Sequence, residues 1–73
     1  MAYVAINAQK LGEANRYANL IRKSSKRRYA QAYIAWLRNG AEGMEPTWTC
    51  SAIDRAQVML AIGAMKLWEG VTP

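Results

Sequence analysis

The residue types that could do chemistry are few, and their spacing does not assemble a reaction site. Cys50 is the one cysteine and there is no histidine, so a zinc site of the Cys/His type cannot be built within one chain. The same count rules out a disulfide scaffold, and an unpaired thiol suits a reducing compartment, which points to the cytoplasm. A thiol just ahead of a helix gains thiolate character from the free amides there. Without an imidazole, however, the usual proton partner for a nucleophilic Cys50 is missing. Glu42 and Glu45 stand three apart in a Gly/Pro-rich stretch, a spacing that could bring two carboxylates together for acid/base work; solvated loop charges are the plainer account. Neither GxGxxG nor GxxxxGK occurs, so no glycine-rich phosphate cradle is expected. The expectation is a protein that is not an enzyme and holds no metal or cofactor.

Charge is the more informative signal. The chain carries ten Lys and Arg against five Asp and Glu, a net charge of +5, and the excess is polarised. Residues 1–40 hold eight cations against Glu13 alone, whereas residues 41–73 hold Arg55 and Lys66 against Glu42, Glu45, Asp54 and Glu69. The densest run is Arg22, Lys23, Lys26, Arg27 and Arg28, separated only by Ser24 and Ser25. Such a cluster attracts nucleic-acid phosphates, an acidic protein surface or, less readily, anionic lipid. Ala8 and Gly12, with Ala18 and Ile21 beyond, loosely follow helix-turn-helix spacing. In that reading Asn15, Arg16 and Asn19 face a DNA groove and the basic run meets phosphates. Two further readings are base stacking on tyrosines that follow arginines, Arg16-Tyr17 and Arg28-Tyr29, and a basic amphipathic helix on a membrane surface. Tyr29 fits a core stripe better than a stacking platform.

These groups must be positioned by a small body. Seventy-three residues, 52% of them hydrophobic, are enough for one folded domain and not two. Periodicity predicts an all-α fold, a small three-helix domain over residues 1–73, with helices at about 7–23, 26–39 and 52–69 and a loop at 40–50. Leu11, Ala14, Ala18 and Ile21, bordered by Tyr17, make the first apolar stripe. Tyr29, Tyr33 and Trp36, beside Ala30, Ile34 and Leu37, make the second. Ser24 or Ser25 is the expected cap of the second helix, although one long helix from Asn7 to Asn39 is an open alternative. Asn39-Gly40 ends it. Ser51, with Asp54 three residues on, caps the third. Residues 3–6 suit a short extended N-terminal arm, a tiny strand or a first helical turn, and the sequence does not choose.

The third helix is apolar in nearly every direction, from Ile53 through Val58, Leu60 and Ile62 to Trp68, and such a helix must be surrounded. Trp48 and the N-terminal arm are one source of cover; a partner, including a second copy in a homodimer, is the other. The first residues lack the charged start and apolar stretch of a secretory signal. The longest apolar run, Val58 to Met65, is too short to span a bilayer. A soluble protein of the cytoplasm, without membrane association, is the expectation.

In size, alanine content, basic helical half (Arg22-Lys23 and Lys26-Arg27-Arg28) and aromatic face (Tyr29, Tyr33, Trp36), the chain resembles small bacteriophage-encoded regulators that bind a host's RNA polymerase. The resemblance is one of style, with no family motif. It implies a noncatalytic transcription regulator that docks on bacterial RNA polymerase near upstream promoter DNA in the host cytoplasm, inhibits initiation and reduces termination. The alternative is a protein that binds DNA directly. For the polymerase reading, Arg22, Lys23, Lys26, Arg27 and Arg28 steer the encounter, and Tyr3, Tyr17 and Trp48 are contact candidates.

Overall fold

Ala14 and Ala18 can share a core with Tyr29, Ala30 and Ile34 only if the chain folds back between them, because a continuous helix would hold residues 14 and 30 about 24 Å apart. The computed structural model, which describes residues 6–47 and 50–67, does fold back there. Helix α1 spans Ala8–Asn19, opened by Asn7 in an extended conformation whose side-chain oxygen accepts the Lys10 amide at 3.0 Å. It ends at Asn19 with Leu20 as C-cap, four residues short of the expected Lys23. The single long helix is thereby excluded. Residues 20–23 make the turn, and the Arg27 guanidinium locks it by donating to the carbonyls of Ile21 (2.9 Å) and Arg22 (3.3 Å).

Helix α2 spans Ser24–Arg38, two residues earlier than periodicity suggests. Its cap is Lys23, extended and without a side-chain bond to the helix amides, so the two serines lie inside the first turn rather than ahead of it. The C-terminal end follows expectation. Gly40 is left-handed (φ 86°), its amide donates to Leu37 O and the Ala41 amide to Trp36 O, the double bond pattern that closes a helix on a glycine.

Helix α3, Ala52–Ala64, starts as its sequence suggests: the Asp54 amide donates to Ser51 Oγ. It runs in the same direction as α2. Lys23 reaches Asp54 and Lys26 reaches Gln57, both 31 residues ahead, and further along Tyr33 and Leu37 line a cleft with Ile62, Gly63 and Leu67. Parallel neighbours need a return path as long as the helix, about 22 Å for α2. That is why residues 39–51 exceed a tight hairpin. The return crosses the stacked rings of Tyr29, Tyr33 and Trp36, whose successive centroids are 5.7 and 5.9 Å apart. Trp36 Nε1 donates to Gly43 O, Pro46 is buried, and the Arg55 guanidinium draws in the carbonyls of Thr47 and Cys50.

The end of α3 corrects the expected boundary near Glu69. Lys66 turns left-handed (φ 52°), which buries Leu67 and lets its carbonyl accept the Asn7 amide at 2.7 Å. Continued helix would have placed Leu67 about 140° around the axis from Ile62 and away from the core. Among the described residues the protein is an all-α three-helix domain without a strand. The arm at residues 1–5, Trp48 and Trp68 lie outside the described residues.

The core joins Ala14 and Ala18 of α1, Tyr29, Ala30 and Ile34 of α2, Val58 and Ile62 of α3, and Leu67. Helix α2 is therefore the central element, packed against both others. The apolar sequence of α3 suggested that it should be the enclosed helix. Instead its outer side is open among the described residues, with Ile53 69% and Leu60 75% exposed.

Candidate docking corner

The α1–α2 turn gathers the basic run at one corner of the molecule, and the structure assigns its members different tasks. Lys23 Nζ lies 2.7 Å from Asp54 Oδ2, an ion pair between an exposed lysine and a largely buried carboxylate. Lys26 Nζ donates to Gln57 Oε1 at 2.6 Å. Arg27 holds the turn carbonyls. These three belong partly to the fold. Arg22 and Arg28 are exposed, as is Arg16 one helical turn before Leu20, and nothing within the described residues engages their guanidinium groups. Residues 14–31 contain six cations and no carboxylate.

This arrangement is locally unfavourable. A helix N-terminus carries partial positive charge, so acidic residues belong there and basic ones destabilise it. The first turn of α2 has no acidic residue and instead carries Lys26 and Arg27, with Lys23 just ahead and Arg28 just behind. Departures from local preference without a packing gain mark positions where something other than stability selects the residue. Arg28 is exposed and has no partner among the described residues.

The Lys23–Asp54 pair sets a pH response. The hydrogen bond from Lys23 holds Asp54 below its ordinary 3.8, against an opposing push from burial. The same bond, donated by Lys23 to Asp54, holds Lys23 above 10.5. A depressed carboxylate contributes stability above its unfolded pKa that is lost as pH falls through the folded value. A raised ammonium contributes below its unfolded pKa and loses that as pH rises through the folded value. In Asp54→Asn, both the acid and the alkaline decline of the thermal midpoint are expected to flatten; a variant whose profile parallels the parent would remove this role.

The helix-turn-helix spacing does not materialise. Gly12, which should open the turn, lies in the interior of α1, and Asn15, Arg16 and Asn19 precede the observed turn instead of lining the helix after it. Asn15 and Arg16 are exposed, while Asn19 accepts a bond from Gln31 Nε2 at 3.0 Å. A Cβ on Gly12 would meet nothing within 4 Å. Gly12→Ala is thus expected to stabilise the protein by about 0.5–1 kcal/mol through helix propensity, measured by urea denaturation; a loss would restore the motif.

Comparison with protein-family models, curated proteins and solved structures finds no match.

The other sequence candidates are dispersed. Tyr17 is half-buried against the core, and burial raises its hydroxyl pKa. Tyr3 and Trp48 fall outside the described residues. Tyr29 is fully buried, which removes it as a base-stacking platform. Cys50 packs against the core edge. Glu42 is exposed, and Glu45 lies near enough to Tyr29 and Tyr33 to raise their pKa values. Among the described residues no three potential metal-ligating side chains come together, and no helix is long and apolar enough to cross a membrane. Sequence reasoning missed Leu20, 80% exposed at the turn. The usable signal was its place between Asn19 and Ile21, off the Leu11-Ala14-Ala18 stripe.

Proposed function

We propose that this chain is a noncatalytic transcription regulator that docks on bacterial RNA polymerase through the α1–α2 corner, inhibiting initiation and reducing termination. The observation that carries the reading is the cation-crowded start of α2, where Lys23, Lys26 and Arg27 serve the fold but Arg28, exposed beside them, adds like-charge repulsion with no partner among the described residues. Charge of this density raises encounter rates with an acidic surface and suppresses wrong partners. The likeness in size, composition and charge placement to phage-encoded polymerase binders supplies the choice of partner.

The test is retention of purified polymerase by immobilised protein, comparing the parent with Arg22→Glu/Arg28→Glu. The double variant is expected to lose binding at least tenfold. It should also fold as well as the parent or better, since reversing Arg28 and Arg22 relieves the repulsion among the clustered cations. Equal binding by both proteins would sink the reading. Direct DNA binding is separated by salt: affinity for naked duplex would fall by roughly 0.9 log unit per log unit of salt for each phosphate neutralised. Absence of duplex binding at low salt excludes it.

A further inference from the structure

The cationic corner has an apolar centre. Leu20 is the C-cap of α1, 80% exposed, with a backbone amide that donates to Arg16 O and Tyr17 O and a side chain that contributes nothing to the core. Arg16 sits one turn before it and Arg22 two residues after. The second helix is fastened beneath the same turn at two points. Arg27 binds the carbonyls of Ile21 and Arg22, and Gln31 binds Asn19. Arg28 lies between those two fastenings in sequence and is exposed. Asp54, the carboxylate that α3 brings to the start of α2, is paired with Lys23.

A single exposed leucine is unremarkable on most surfaces. Here it occupies the middle of a stretch with six cations and no acid, a position where a polar residue would serve the fold equally well.

We propose that Leu20 is the apolar anchor of this corner, and that the corner fits a protein surface bearing a small apolar pocket rimmed by carboxylates, not a nucleic-acid backbone. The inference rests on the docking role of the corner and specifies the chemistry of what docks. Charge complementarity selects the rim: Arg16, Arg22 and Arg28 are exposed on the two helix ends and the turn that carry the knob, without a partner among the described residues, and guanidinium pairs with carboxylate in a planar two-bond geometry. The knob selects against phosphate, because a leucine projecting among the arginines would hold a sugar-phosphate strand away and desolvate it without compensation. Wedging between base steps is the one nucleic-acid use of such a side chain, and the duplex arm of the experiment below tests it.

The experiment measures the affinity of purified bacterial RNA polymerase, and separately of a naked duplex, for the parent, Leu20→Ala and Arg22→Glu/Arg28→Glu at two salt concentrations. Leu20→Ala is expected to weaken polymerase binding tenfold or more, leave the salt dependence of that binding unchanged, and keep the parent's thermal midpoint. The charge-reversed protein loses affinity together with its salt dependence. Polymerase binding by Leu20→Ala within twofold of the parent, while the charge reversal abolishes it, overturns the anchor and leaves the docking reading standing. A parent that does not bind polymerase overturns both. Duplex binding that Leu20→Ala weakens as much as it weakens polymerase binding overturns the choice of a protein partner.

Discussion

Tyr29→Ala is expected to leave the protein largely unfolded at 25 °C, whereas Tyr29→Phe is expected to stabilise it. Tyr29 is 0% exposed and is one of the largest fully buried side chains. It stacks on Tyr33 below the return segment and belongs to the helix that touches both others. Truncating a buried aromatic costs about 3–5 kcal/mol, comparable with the whole stability of a domain this size at about 0.05–0.15 kcal/mol per residue. The phenol oxygen gives the opposite sign for phenylalanine. It is buried and has no hydrogen-bond partner among the described residues, so its removal recovers a desolvation penalty of about 1 kcal/mol. Burial, aided by Glu45, Tyr33 and Cys50 and opposed by Arg55, pushes its pKa from 10.0 up to about 12. Because the folded value is the higher one, stability is intact below pH 10 and declines as pH rises through about 12. Tyr29→Phe should lose the Tyr29 share of that alkaline decline; Tyr17 and Tyr33, also raised by burial, keep theirs. Chemical denaturation at neutral and alkaline pH checks both signs, and a destabilised phenylalanine variant would mean that the hydroxyl is satisfied.

The second large effect separates two residues of one helix. Ile62→Ala is expected to destabilise by about 2–5 kcal/mol, and Leu60→Ala by no more than about 0.5 kcal/mol. Ile62 is 2% exposed in the core, Leu60 75% exposed on the outer side of α3. Ile62 also lines the cleft of about 120 Å³ between α2 and α3, together with Tyr33, Leu37, Gly63 and Leu67. Shortening it deepens that solvent-facing cleft and removes the contacts Ile62 makes beneath it. Urea midpoints for the two variants decide the matter. Equal losses would mean that the outer side of α3 is covered in solution.

That contrast shows where the sequence can be read and where it cannot. Helix type and most core positions follow from periodicity, since Ala14, Ala18, Tyr29, Ala30 and Ile34 recur at helical spacing and are buried. The caps at Ser51 and Gly40 follow from local chemistry. Ends decided by distant contacts do not. Leu67 needs the chain to leave α3 early, and Lys23 takes the cap position of α2 while its ammonium engages a carboxylate 31 residues away. The same non-local choice hid the division of labour in the basic run. Five adjacent cations look equivalent in one dimension; folded, Arg27 secures a turn, Lys23 and Lys26 join α2 to α3, and Arg22 and Arg28 remain outward. Leu20 is not legible in the sequence because apolar periodicity marks core positions, and a leucine at a turn obeys neither stripe.

The side-by-side, same-direction placement of α2 and α3 has a kinetic consequence. Helices α1 and α2 meet across a four-residue turn, so their pairing closes a short loop and is entropically cheap. Docking α3 links positions 31 apart, and it must also lay the intervening segment across the aromatic rings. Loop closure of that span, and not helix formation, is expected to limit the folding rate. During refolding α1 and α2 would pair before α3 docks. For that interval Lys23 would lack its counter-ion, and the partly folded chain would be at its most attractive to polyanions.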